Sequence, residues 1–128
     1  MKKYILLVVL LLGHHISQAQ QLVFCKEVDK EGFANGQDSS FILKSGEQIV
    51  FYLSDRKDLN TTKLNYEIYS VNDRGTERYD NTIEQKIEPD WRWAWKGIIF
   101  HRAGTYEIKV LNANNEKIAS GRVKISFL

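Results

Sequence analysis

At 128 residues, 43% of them hydrophobic and 27% charged, the chain is long enough for one packed domain and too short for two. Its 18 basic and 16 acidic residues nearly cancel, which excludes the strong positive field that binding to nucleic acid or an anionic membrane draws on. A single cysteine, Cys25, excludes an internal disulfide, so the core alone must hold the fold.

Met1-Lys2-Lys3, the apolar run Tyr4 to Leu12 and Ser17-Gln18-Ala19 follow the order of a secretory signal peptide, which predicts cleavage between Ala19 and Gln20. The run is about nine residues long, whereas a spanning helix needs about 20, so the mature chain is expected to have no transmembrane segment. Loss of Lys2 and Lys3 leaves 16 basic against 16 acidic residues in a single domain, residues 20–128. A lipid anchor on Cys25 is disfavoured because Val23 and Phe24 stand where small residues are expected. An exported, disulfide-free domain fits a bacterial periplasmic or secreted protein, and Asn60-Thr61-Thr62 would be a glycosylation acceptor only in a eukaryotic secretory pathway.

Leu22 to Val28 reads as a first strand at a sheet edge, followed by a polar loop punctuated by Gly32 and Gly36. Ser40 to Leu43 is short and β-prone, and Gln48 to Ser54 is nearly continuously apolar, the pattern of a central strand covered on both faces. In Lys63 to Val71, Leu64, Tyr66 and Ile68 alternate with polar residues, so one face is buried. Asn72-Asp73-Arg74-Gly75 has hairpin-turn chemistry, and the mostly polar return Thr76 to Glu88 reads as an edge strand or an irregular crossover anchored by Tyr79, Ile83 and Ile87. The Trp91–Phe100 stretch comes next, then the strand Thr105 to Leu111 and a last strand Lys117 to Phe127. No helical periodicity appears. The expected fold is an all-β antiparallel sandwich of about seven or eight strands.

Phe100-His101-Arg102-Ala103-Gly104-Thr105-Tyr106-Glu107-Ile108 resembles the segment of immunoglobulin-like domains in which a turn with glycine precedes a tyrosine whose hydroxyl bonds back to the turn. Ile108 falls where antibody domains place their second disulfide cysteine, so the resemblance is to the cysteine-free bacterial relatives. It implies an immunoglobulin-like sandwich, and a fold does not by itself specify a function.

Trp91, Trp93 and Trp95 would project from one face of an extended strand over about 13 Å, with Arg92, Ala94 and Lys96 on the other. An aromatic platform for a sugar or a protein partner is one reading of this array. Arg92 and Lys96 need water, however, so the expectation is that Trp93 and Trp95 face the core and that Trp91 sits at a rim beside Pro89. A bulge at Gly97 is then expected, to return Ile98 and Phe100 to the tryptophan side.

Chemistry finds few residues to work with. With His14 and His15 in the leader, His101 is left alone in a turn, no nucleophile elbow is present, and a cysteine–histidine metal site has no partners to draw on. Asp29, Glu31, Asp38, Asp55 and Asp58 lack the spacing of a calcium loop, and Glu84, Glu88 and Asp90 build no glycosidase cleft. The sequence therefore predicts neither catalytic residues, nor a metal, nor a cofactor. It predicts a monomeric, exported, non-catalytic binding or interaction module whose partner is a protein or a glycan, with Trp91, Arg92, Trp93 and Trp95 as candidate contacts. The alternatives are a carbohydrate-binding protein built on the tryptophans, and a small secreted inhibitor, presenting the Asp55 to Thr62 loop, or envelope structural protein.

Overall fold

The computed structural model describes residues 20–128; the expected leader, residues 1–19 with Ala19, lies outside the described residues. The strands, in chain order, are β1 (Gln20–Cys25), the two-residue β2 (Glu27–Val28) and β3 (Ala34–Asn35), β4 (Ser40–Leu43), β5 (Gln48–Asp55), β6 (Lys63–Val71), β7 (Glu77–Lys86), β8 (Trp93–Ile99), β9 (Gly104–Leu111) and β10 (Lys117–Phe127). Three of them form one sheet in the order β1-β5-β8, and five form the facing sheet in the order β4-β10-β9-β6-β7. The array is a β-sandwich, as the alternation predicts: eight strands make its two sheets, within the expected seven or eight, and the short β2 and β3 bring the described strands to ten.

Period-two patterning fixes what lies between the sheets. Leu64, Tyr66 and Ile68 of β6, Tyr106, Ile108 and Val110 of β9, and Val123 and Ile125 of β10 all point inward and are buried. From the smaller sheet Ile49, Phe51 and Leu53 meet them. The Phe51 ring lies at the centre, 5.5 Å from Phe24, 5.8 Å from Tyr66 and 6.2 Å from Phe100, in the edge-on and tilted geometries that aromatic quadrupoles favour.

The tyrosine corner is present: the Tyr106 hydroxyl donates to the Arg102 carbonyl at 2.7 Å, and its ring packs on Phe100 with centroids 4.6 Å apart.

Three features depart from the sequence reading. The sheets are not wholly antiparallel, since β4 lies parallel to the end of β10, from Lys124 opposite Ser40 to Phe127 opposite Leu43. Tyr79 is not an anchor and is 57% exposed. The β6–β7 register shifts between Ile68 and Tyr69, leaving Asp80 as an extra residue on β7. That bulge turns Tyr79 to the outer face, edge-on to Tyr69. Finally, the polar loop after β1 contains β2 and β3, which pair with each other as a small flap over the outer face of β5.

Asp29 shapes the flap. Its Oδ1 accepts the backbone N–H of Glu31 at 2.9 Å and of Phe33 at 3.0 Å, and its Oδ2 accepts the Asn35 amide at 3.3 Å. These bonds, that from Phe33 foremost, hold its carboxyl below the usual carboxylate range. Under the flap Val50 and Cys25 are shut off from water on the outer side of the sheet, which is why β5 reads as apolar on both faces. Burial pushes the Cys25 thiol up from its ordinary value.

Candidate ligand-binding site

β8 pairs with β5 in unbroken antiparallel register, from Gln48 opposite Ile99 to Ser54 opposite Trp93. With no bulge at Gly97, strict alternation puts Ala94, Ile98 and then Phe100 inside, where they are buried. The tryptophans therefore face out, contrary to the core placement expected for Trp93 and Trp95. Trp91, Trp93 and Trp95 are 42%, 40% and 44% exposed.

The water requirement of Arg92 and Lys96 is met in another way. Arg92 precedes the strand, and its carbonyl accepts the Asp55 N–H at 2.9 Å while its guanidinium reaches solvent. Lys96 belongs to the inward-facing set, but β8 is the last strand of its sheet, so the four-carbon stem can leave sideways and present its ammonium at the surface.

The indoles are held by different neighbours. The Trp93 ring stacks on Tyr52 at 5.9 Å with 19° between planes, a diagonal cross-strand pair. The Tyr52 hydroxyl donates to the Gly32 carbonyl at 2.7 Å, and the Gly32 backbone lies against the Trp93 ring so closely that an added Cβ would come within 2.8 Å of it. Burial pushes the Tyr52 phenol above its ordinary value. The flap is thus a wall that clamps Trp93; among the described residues neither Trp91 nor Trp95 stacks on another aromatic ring.

Trp91 is placed by the Asp55 to Thr62 loop. The Leu59 N–H donates to the Trp91 carbonyl at 2.7 Å and the Asn60 N–H to the Pro89 carbonyl at 2.9 Å. Leu59 and Thr61 are buried, so this loop is anchored to the domain at those two residues.

Between these groups runs an open groove of about 780 Å³, lined by the three tryptophans together with Gln48, Gln85, Arg92 and Lys96. Its charged lining is wholly cationic. Arg92 makes a long, solvent-exposed ion pair with Asp58 at 3.5 Å. Gln85, on β7, reaches across the open side of the sandwich: its Nε2 donates to the Trp95 carbonyl at 2.9 Å, and its Oε1 accepts the Tyr66 hydroxyl at 2.7 Å.

All four predicted contact residues, Trp91, Arg92, Trp93 and Trp95, are brought to this groove. Sequence reasoning missed Tyr52, Gln48 and Gln85. Tyr52 carried a usable signal, as the aromatic on a central strand that pairs with β8; the glutamines carried none, because one amide in a strand says nothing of what lies across the sandwich.

Comparison with solved structures bears on the architecture. An immunoglobulin-like protein from Pseudomonas aeruginosa superposes with a TM-score of 0.54 at 12% identity, over 86% of this chain and 98% of that one. The fold is immunoglobulin-like. Two structures of superoxide reductase (neelaredoxin) from Ignicoccus hospitalis match more loosely, with TM-scores of 0.42 and 0.43 at 9% and 8% identity, over 71% and 84% of this chain and 75% and 83% of theirs. No family model matches the chain, and neither does any curated protein sequence. At these identities the likeness carries the fold alone.

Proposed function

We propose that the protein is an exported, non-catalytic binding module that takes its ligand on the tryptophan groove. The observation that carries this reading is the outward presentation of Trp91, Trp93 and Trp95, each near 40% exposed, on one rigid strand and its approach. A soluble domain gains by burying such rings, so a contiguous row left wet is characteristic of a contact surface. Trp93 is fixed by Tyr52 and the flap, which lowers the ordering cost of binding against it.

The test is to present the purified protein to a glycan array and to a peptide library, in parallel with Trp91→Ala and Trp95→Ala variants. Binding that disappears in the variants, with little change in their melting curves, supports the reading. Undiminished binding by both variants would overturn it.

A carbohydrate ligand is the second reading. It is favoured by the exposed indoles of Trp91 and Trp95, which can stack on sugar rings while Gln48, Gln85, Arg92 and Lys96 bond hydroxyls. Export rests on the leader pattern alone. A mature terminus at Gln20, read by N-terminal analysis of protein from its own host, is the expected result, and soluble protein retaining Met1 would contradict it.

A further inference from the structure

The outer edge of β8 has no strand beside it among the described residues. Alternation in an antiparallel ladder decides which backbone groups that edge presents. Arg92 bonds inward to Asp55, and the Trp95 carbonyl is taken not by β5 but by Gln85. Even-numbered residues of β8 therefore bond β5, and the N–H and C=O groups of Trp93, Trp95, Gly97 and Ile99 point away from it. Beyond this edge the five-stranded sheet extends one strand further: β7 overhangs, and its inward-facing Ile83 is only partly covered. A second groove of about 430 Å³ continues the first along the same side, between Asp80, Asn81 and Ile83 of β7 and Ile98 and Ile99 of β8, with Arg102 also in its lining. Among the described residues, only the Gln85 side chain bridges the two sheets between these grooves by a hydrogen bond.

We propose that this edge seats an extended peptide as a fourth strand of the β1-β5-β8 sheet, a specialisation that rests on the groove being the ligand site. Main-chain bonds to the outward groups of β8 supply the register. Alternate side chains of the peptide then fall on two surfaces, one set beside Trp93, Trp95 and Ile99, the other over Ile83 and Ile98 between the sheets. Charge selects the occupant further. The tryptophan groove has no carboxylate in its lining; it offers the Lys96 ammonium, which has no ion-pair partner among the described residues, and the Arg92 guanidinium, whose long, exposed pair with Asp58 a peptide carboxylate can join or replace. The second groove carries one carboxylate, Asp80, with Arg102. The fitting partner is a β-prone, proline-free segment with apolar residues on both faces and a carboxylate at the Arg92 end. Gln85 acts as a latch that holds the Trp95 carbonyl until a peptide N–H replaces it.

The experiment begins with selection of displayed random peptides of about ten residues, a full strand length, on the purified protein. Enriched peptides are expected to be apolar, acidic and free of proline. Amide hydrogen exchange is then measured with the most enriched peptide. Protection is expected to rise at Trp93, Trp95, Gly97 and Ile99, but not at the alternate residues already bonded to β5. Ile99→Pro removes an outward N–H without touching the β5 ladder and is expected to weaken binding by about tenfold or more, whereas Ile99→Val keeps the N–H and binds as the parent does. If Ile99→Pro fails to fold, the alternate-residue protection pattern alone decides. Binding lost in Trp95→Ala but kept in Ile99→Pro, with the outward amides still exchanging, would overturn strand addition while leaving the tryptophan groove as a ligand site. Failure of every peptide together with glycan-array binding would likewise overturn strand addition and keep the groove. Protection of the outward amides without peptide, rising with protein concentration, would assign the edge to a second copy of the chain and overturn the peptide proposal.

Discussion

Gln85 joins the hydroxyl of Tyr66, buried between the sheets, to the backbone carbonyl of Trp95 at the sandwich edge, through bonds of 2.7 and 2.9 Å. Burial pushes the Tyr66 phenol well above its usual range, so this hydroxyl stays a neutral donor that depends on a partner within the protein. Gln85→Leu leaves it unsatisfied and is expected to cost about 1–3 kcal/mol in denaturant titration. Adding Tyr66→Phe to that variant removes the orphaned group and is expected to restore part of the loss. Strictly additive losses in the two variants would show that the bond between them contributes nothing.

The corner at Tyr106 gives a second stability prediction. Its hydroxyl has one acceptor, the Arg102 carbonyl, and its ring supports Phe100 from below the β8–β9 turn. Tyr106→Phe keeps the ring packing and removes only the bond, so a loss of roughly 1–2 kcal/mol is expected from the midpoint of urea unfolding. An unchanged midpoint would mean that water replaces the bond at no cost.

Asp29 makes the flap sensitive to acid. Its carboxyl is lowered from the ordinary value by bonds that exist only in the folded flap, so the stability it contributes is complete above the unfolded-state pKa. That contribution is lost as pH falls through the lowered folded value. Since the Gly32 backbone of the same flap touches Trp93, acid is expected to change indole fluorescence and speed exchange of the Phe33 amide before the sandwich unfolds. Asp29→Asn is expected to reproduce the acid behaviour at neutral pH, flattening the pH profile of Phe33 exchange. A variant whose profile still bends like the parent's would place the titration elsewhere.

Much of the sandwich was legible because one physical signal, alternation on strands with one wet face, is local. Leu64-x-Tyr66-x-Ile68 and Tyr106-x-Ile108-x-Val110 declared their inner faces, and the Gly104-x-Tyr106 spacing declared the corner. The parallel pairing of β4 with β10 was not legible, since the two segments lie at opposite ends of the domain sequence and nothing in Ser40 to Leu43 names its neighbour. The candidate site was legible in its residues and misread in its direction. Cations at positions 92 and 96 must turn their whole face to water only on an interior strand. At an edge, Lys96 can leave sideways, and the small Ala94 followed by Ile98 and Phe100 in even register was the better guide to the inner face.

That reversal changes what alanine does to each tryptophan. In the core, truncation would remove a fully buried ring at about 3–5 kcal/mol; with near 40% exposure the losses shrink, and they differ according to what each ring touches. Trp93 is clamped between Tyr52 and the Gly32 backbone, so Trp93→Ala is expected to cost about 1–3 kcal/mol and to free the flap, visible as faster exchange at Phe33. Gly32→Ala attacks the same contact from the other side, because its positive φ of 87° is strained for any side chain and the added methyl meets the indole. It should resemble Trp93→Ala in exchange while keeping all three indoles. Trp91→Ala and Trp95→Ala, lacking such clamps, are expected to stay within about 1 kcal/mol of the parent by thermal and urea unfolding. Losses as large for Trp95 as for Trp93 would show that the free indole is structural after all, and would remove the main reason for placing a ligand on this face.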